Sequence, residues 1–182
     1  FDPRKRWAEV TSTFKHLWPA LIENMWGALR EEREDEEDES EENWKHSVYI
    51  EQEEKEKNEF VQKLFSSVED GLIQEGHGDW ILELEGMAEQ GNVSPLDLFL
   101  ANLGYESRSG CTAIVAIDHG GHAMLGRTLD WADDDTLKAL TIQVVFTRNG
   151  VNVFKATTWA GCVGVFTGMN KNWGVCVNYR EV

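Results

Sequence analysis

The spacing of apolar residues changes character once along this chain, close to Cys111, and that change does most to limit what the chain can become. Before it, Trp7, Val10, Phe14, Leu17, Trp18, Leu21, Met25 and Leu29 recur every three or four residues, the spacing of one helix face. Pro19 lacks a backbone donor and crowds the preceding turn, so it should kink this helix or divide it. A second helical stretch runs from Phe60 to Val68 and on through Leu72, followed by Gly76 and Gly78 and a third from Trp80 to Ala88. Ser94-Pro95-Leu96-Asp97 combines a capping hydroxyl, a first-turn proline and a nearby acid, and it opens a buried helix expected to end near Gly104.

After Cys111 the text turns β-branched. TAIVAI breaks at Asp118-His119-Gly120-Gly121 and resumes from Ala123 to Leu129, a hairpin pattern. Leu140 to Thr147 and Val151 to Thr158 flank Arg148-Asn149-Gly150, and Asn-Gly is the strongest short hairpin signal. A last strand is predicted from Val175 to Asn178. The fold class is therefore α+β, with helices over 1–110 packed on an antiparallel sheet over 111–182, and with Cys111 opening the first strand.

Charge narrows the partners. The formal balance of -16 over 182 residues disfavours nucleic acid, whose affinity comes from Lys and Arg neutralising phosphates. The acidic run from Arg30 to Glu42 repels itself, and an acidic, solvated loop is expected over about 30–58. Trp7, Trp18 and Trp26 with Arg4, Lys5, Arg6 and Lys15 suit either core packing or a peripheral membrane contact. No run reaches the length of a bilayer span and no signal-peptide pattern opens the chain, although a targeting segment before Phe1 would be out of sight. Cys111, Cys162 and Cys176 define no disulfide framework. Asp118, His119 and His122 lack a third ligand at a recognised spacing, so neither a metal nor another cofactor is expected. Asn92-Val93-Ser94 is a glycosylation sequon.

The residue with most chemical promise is Cys111, preceded by Ser107-Arg108-Ser109-Gly110. Cleavage of the Gly110-Cys111 bond would give the thiol its own α-amine, with a reference pKa near 8, as general base. Taken alone, the same cysteine also suits a small core residue on an apolar strand.

Three blocks in order, GCTAIVAIDHGGHAMLGRTLDW, KALTIQVVFTRNG and FKATTWAGCVGVFTGMN, resemble the opening of the catalytic β-subunit in the family of acid ceramidase and N-acylethanolamine acid amidase. Upstream, KRW and NLGYES resemble the α-subunit of that family. The resemblance implies an N-terminal nucleophile hydrolase of αββα architecture, made as a zymogen, self-cleaved between Gly110 and Cys111 and retained as an α/β heterodimer. It implies a lysosomal or secretory location and a lipid amide substrate, a ceramide or an N-acylethanolamine, hydrolysed to fatty acid and amine.

Carried onto this sequence, the resemblance makes Cys111 the nucleophile. Arg127 becomes the group that favours its thiolate and orients the substrate carbonyl, and Asp130 the acceptor for the new α-ammonium. Tyr105 and Trp131 would line the acyl slot. Arg180, in Asn178-Tyr179-Arg180-Glu181, would stand for a further substrate-binding arginine. The family's oxyanion-hole asparagine would fall beyond Val182, so the sheet and the site in these residues are expected to be incomplete and turnover poor. The alternative implied is a non-catalytic form that binds lipid or a partner.

Overall fold

The computed structural model describes residues 2–31, 43–131 and 134–178, and the chain is α+β, with helices first and antiparallel strands second. The helices are α1 Ala8–Phe14, α2 Trp18–Glu31, α3 Asn43–Gln74, α4 Asp79–Gly91 and α5 Pro95–Arg108, and a short α6 Asp134–Leu140 interrupts the strands. The strands are β1 Ser109–Ile117, β2 Ala123–Trp131, β3 Thr141–Arg148, β4 Val151–Trp159, β5 Thr167–Met169 and β6 Gly174–Cys176. They form a two-stranded β1-β2 ribbon and a four-stranded sheet ordered β3-β4-β5-β6.

Local chemistry accounts for the boundaries. Pro19 is the second residue of α2, where its missing N–H is not needed, and a 3₁₀ turn at Lys15–Leu17 absorbs the break from α1. Asn92 caps α4 in the left-handed region at φ 56°, with its N–H on the Ala88 and Glu89 carbonyls. Ser94 Oγ accepts from the Leu96 N–H at the start of α5. Asn149 and Gly150 both have positive φ, 52° and 76°, as a two-residue turn of the tight hairpin type requires.

Four sequence expectations need correction. Residues 43–58 of the expected acidic loop belong to α3, because Glu, Gln and Lys are good helix formers and Glu51 and Glu53 stand four residues before Lys55 and Lys57. The remainder of the acidic run, 32–42, lies outside the described residues. Helix α5 passes Gly104 and continues to Arg108, so strand β1 starts at Ser109 and Cys111 is its third residue. The last strand is shorter and earlier than expected, Gly174–Cys176, and α6 had no clear signal in the text.

The core is shared between the two halves of the chain. Trp18, Leu84, Leu98 and Phe99 from the helices are packed with Leu140, Ala160 and Cys162, all at 1% exposure or less. Trp7 and Trp18 are buried there, which is the core-packing reading of the N-terminal tryptophans. The neighbouring cations turn to α4, Arg4 pairing with Glu85 at 2.6 Å and Arg6 with Asp79 at 2.8 Å and with Glu83. Such exposed pairs add little stability, but they fix where the N-terminus crosses α4. Gly86 permits that crossing, since a Cβ there would fall 2.1 Å from the Arg4 carbonyl oxygen.

Three side chains from the helical half fasten the loop after β4. The Trp18 and Trp80 indole N–H groups donate to the Ala160 and Val163 carbonyls, each at 3.0 Å. Asn102 donates to the Leu98 and Gly161 carbonyls at 2.8 and 2.9 Å, and its oxygen accepts from the Val163 N–H at 2.8 Å. The ribbon by contrast leaves Ile114, Val115 and Ile117 at 64%, 74% and 72% exposure, its outer reach uncovered. Among the described residues no helix is long and apolar enough to cross a membrane.

Candidate active site

Helix α5 runs straight into β1, so the helical half of the chain delivers Cys111 to the sheet without a loop. In the ribbon, Cys111 pairs with Leu129 and Ala113 with Arg127. Cross-strand partners share a face and positions two apart repeat it, so Cys111 and Arg127 lie diagonally on one face. The geometry agrees: Arg127 Nη2 is 3.3 Å from Cys111 Sγ, and both residues are half-buried. The same nitrogen donates to the Val177 carbonyl at 3.0 Å. A cation at this distance, screened only partly by water, favours the thiolate.

Asp130 stands one position beyond, paired with Gly110, and the alternation carries its side chain to the opposite face of the ribbon from the thiol. A Cβ on Gly110 would lie 3.5 Å from Asp130 Oδ2, so the carboxylate rests beside the main chain that leads into Cys111. Cys111 and Arg127 therefore meet through side chains, while Asp130 approaches the same residue from its backbone side.

The remaining sequence candidates separate. Tyr105 lies in the last turns of α5 and Trp131 ends β2 opposite Ser109. Arg180, together with Tyr179 and Glu181, lies outside the described residues. Asn92 is exposed at the end of α4. Asp118 closes the β1-β2 turn, accepting from the Gly120 and His122 N–H groups at 2.8 Å each, with His122 Nδ1 at 3.0 Å. Those bonds, led by the one from the His122 backbone, hold its carboxyl below the usual range. Among the described residues no three potential metal donors converge.

Two features escaped the sequence. One is the Val177 carbonyl, which gives Arg127 a second anchor and which side-chain identity cannot reveal. The other is Asn102, which with Asp97 is one of two polar residues inside LDLFLANL and whose position in an apolar run was a signal in plain view. Cys162 is fully buried, and that burial pushes its thiol up to about 12.

The α+β chain thus sets a half-buried strand thiol against a guanidinium. The relatives are more particular. The chain is 43% identical over 88 residues to N-acylethanolamine-hydrolyzing acid amidase of Oryctolagus cuniculus, covering 48% of this chain and 25% of that protein. It is 37% identical over 110 residues to the enzyme of that name from Cavia porcellus, covering 60% and 30%. With acid ceramidase of Bos taurus it shares 34% identity over 124 residues, covering 60% and 31%. No family model matches the chain. The chain spans less than a third of the length of these curated relatives.

Proposed function

We propose that this chain is the α-subunit and the beginning of the β-subunit of a cysteine N-terminal nucleophile amidase that hydrolyses lipid amides, either an N-acylethanolamine or a ceramide. The observation that carries the reading is the Arg127 guanidinium held 3.3 Å from the Cys111 sulfur, in a chain similar to an acid amidase and an acid ceramidase. Maturation begins when the thiolate attacks the Gly110 carbonyl carbon. The C–N bond breaks, Cys111 keeps the nitrogen as a free amine, and water hydrolyses the resulting thioester. Asp130, beside Gly110, is set to hold that amine as an ammonium.

In turnover the same amine takes the thiol proton, and the sulfur attacks the substrate carbonyl. The amine returns the proton to the leaving nitrogen, and the acyl thioester is hydrolysed to the fatty acid. Arg127 supports the thiolate throughout. Trp18, Trp80 and Asn102, which bridge the segments on either side of the cleavage point, would hold the two products together as a heterodimer. An acidic setting fits the names of the relatives, a lysosomal or secretory location is proposed with it, and the exposed Asn92 is the proposed glycosylation position.

The test uses the full natural chain. A reducing denaturing gel should show two bands, one of them a fragment whose N-terminal residue is Cys111, and Cys111→Ala should leave one band and no hydrolysis of a fluorogenic N-acyl amide. A single uncut band with full activity would remove the proposal. A single band without activity would favour a lipid-binding or partner-binding role, which the uncovered apolar ribbon also suits.

A further inference from the structure

The Arg127 nitrogen that touches Cys111 also donates to the main chain just after strand β6. Val177 follows that strand directly; its N–H donates to the Phe166 carbonyl at 2.8 Å, while its own carbonyl receives Arg127 at 3.0 Å. Phe166 is in turn stacked on Trp159, ring centroids 4.9 Å apart, within the shared core. A chain of contacts thus runs from the core to Val177, to Arg127 and to the Cys111 sulfur.

That chain needs the β6 segment to lie close to β2, and Gly174 stands at the approach. A Cβ on Gly174 would stand 3.3 Å from Leu125 Cδ2 and 3.9 Å from Leu125 Cβ. Leu125 precedes Arg127 by two positions on β2, and Gly174 precedes Cys176 by two on β6. The contact at Gly174 and the hydrogen bond at Val177, three residues later, both join the β6 segment to β2, although the two strands belong to separate sheets. Gly174 does not have a positive φ, so conformational freedom is not the reason for a glycine here. A side chain there would instead press on the end of Leu125.

We infer that Gly174 is a positioning residue for the Cys111 thiol: its missing side chain lets β6 approach β2 closely enough for the Val177 carbonyl to hold Arg127 against the sulfur. The inference rests on Cys111 being a reactive thiol, and it adds a residue far along the sequence to the machinery around it. A larger residue at 174 presses on Leu125, draws the Val177 carbonyl away and weakens the hold that keeps the guanidinium against the thiol.

The experiment follows iodoacetamide alkylation of Cys111 against pH in the full natural chain, reading the peptide that carries Cys111 by mass spectrometry. Arg127→Leu sets the scale. Gly174→Val should raise the midpoint by about one pH unit or more, the shift expected when a cation leaves a thiolate. Adding Leu125→Ala should bring part of it back by making room for the new side chain. Gly126→Ala is the control, because it adjoins Arg127 yet a Cβ there meets nothing within 4 Å; its midpoint should equal the wild type.

If circular dichroism shows that Gly174→Val does not fold, Gly174→Ala is read instead, with a smaller shift of the same sign. A wild-type midpoint in whichever of the two folds would overturn the inference, as would an equal shift in Gly126→Ala. Amidase activity plays no part in the readout. A raised midpoint in a chain that hydrolyses no amide would keep the positioning role and remove the functional reading instead.

Discussion

Replacing Asn102 by Asp changes one atom and should cost stability in a pH-dependent way. The amide donates to two carbonyls, Leu98 and Gly161, at 2.8 and 2.9 Å, and accepts from the Val163 N–H, and Gly161 and Val163 are buried. A carboxylate keeps the accepted bond but loses both donors and sets a negative charge against two carbonyl oxygens. A buried acceptor stripped of its donor costs about 1 to 3 kcal/mol, and taking about 1.5 kcal/mol for each of the two gives a combined loss of about 3 kcal/mol at neutral pH. Protonation restores one donor, so the folded state binds the proton better than the unfolded state and the new carboxyl has a raised pKa when folded. Its stabilising contribution is present below the unfolded value near 3.9 and is lost as pH rises through the folded value. The deficit should therefore be larger at pH 7.5 than at pH 5. For a chain of this size each kcal/mol moves Tm by about 2 to 4 °C, giving a loss of roughly 6 to 12 °C at pH 7.5 and about half that at pH 5, each against the wild type at the same pH. Equal losses at both pH values, or none, would show that Asn102 does not fasten the loop as described.

Gly86→Ala should lower Tm although alanine is the better helix former by about 1 kcal/mol, because the new methyl meets the Arg4 backbone, which cannot rotate away; a raised Tm in a thermal melt would refute the crossing. Cys162 should resist iodoacetamide at pH 8.5 in the folded chain and react only on unfolding, since its thiol is pushed up to about 12, and early alkylation seen by peptide mapping would contradict its burial. Asp118 should titrate below its ordinary 3.8, as its hydrogen bonds favour the carboxylate. That contribution is present above the unfolded value and lost as pH falls through the folded one, so the Asp118 side-chain carboxyl carbon should titrate below 3.8 by NMR. A midpoint above 4 would count against the turn.

Much of the architecture could be read from period alone. The helical spacing of Trp7 to Leu29, the β-branched TAIVAI and the Asn149-Gly150 turn each express a constraint local enough for sequence to display. The limits of α3 and α5 could not be read so well, because a polar helix has no apolar stripe to count and a glycine such as Gly104 can be buried within a helix as readily as end one. The site shows the same division. Cys111 and Arg127 meet because the hairpin register gives them one face. Asp130, three residues on, must then take the other face, an inference that parity alone permitted and that motif matching concealed. Val177 enters through a main-chain oxygen, which any residue type would supply, and so its part was invisible before the fold.

The indoles of Trp18 and Trp80 and the amide of Asn102 give the two stretches of chain a bond of their own, separate from the peptide link between Gly110 and Cys111. Covalent continuity and architectural continuity are thus different properties of this molecule. Scission at that link would change the number of polypeptides but hardly the hydrodynamic radius, so a sizing column would see one particle where a denaturing gel sees two. The same bonds mark where the molecule could be divided by design. Two separately made pieces would find each other through Trp18 seeking the Ala160 carbonyl and Asn102 the turn at Gly161, and each would bring what the other needs to close the core.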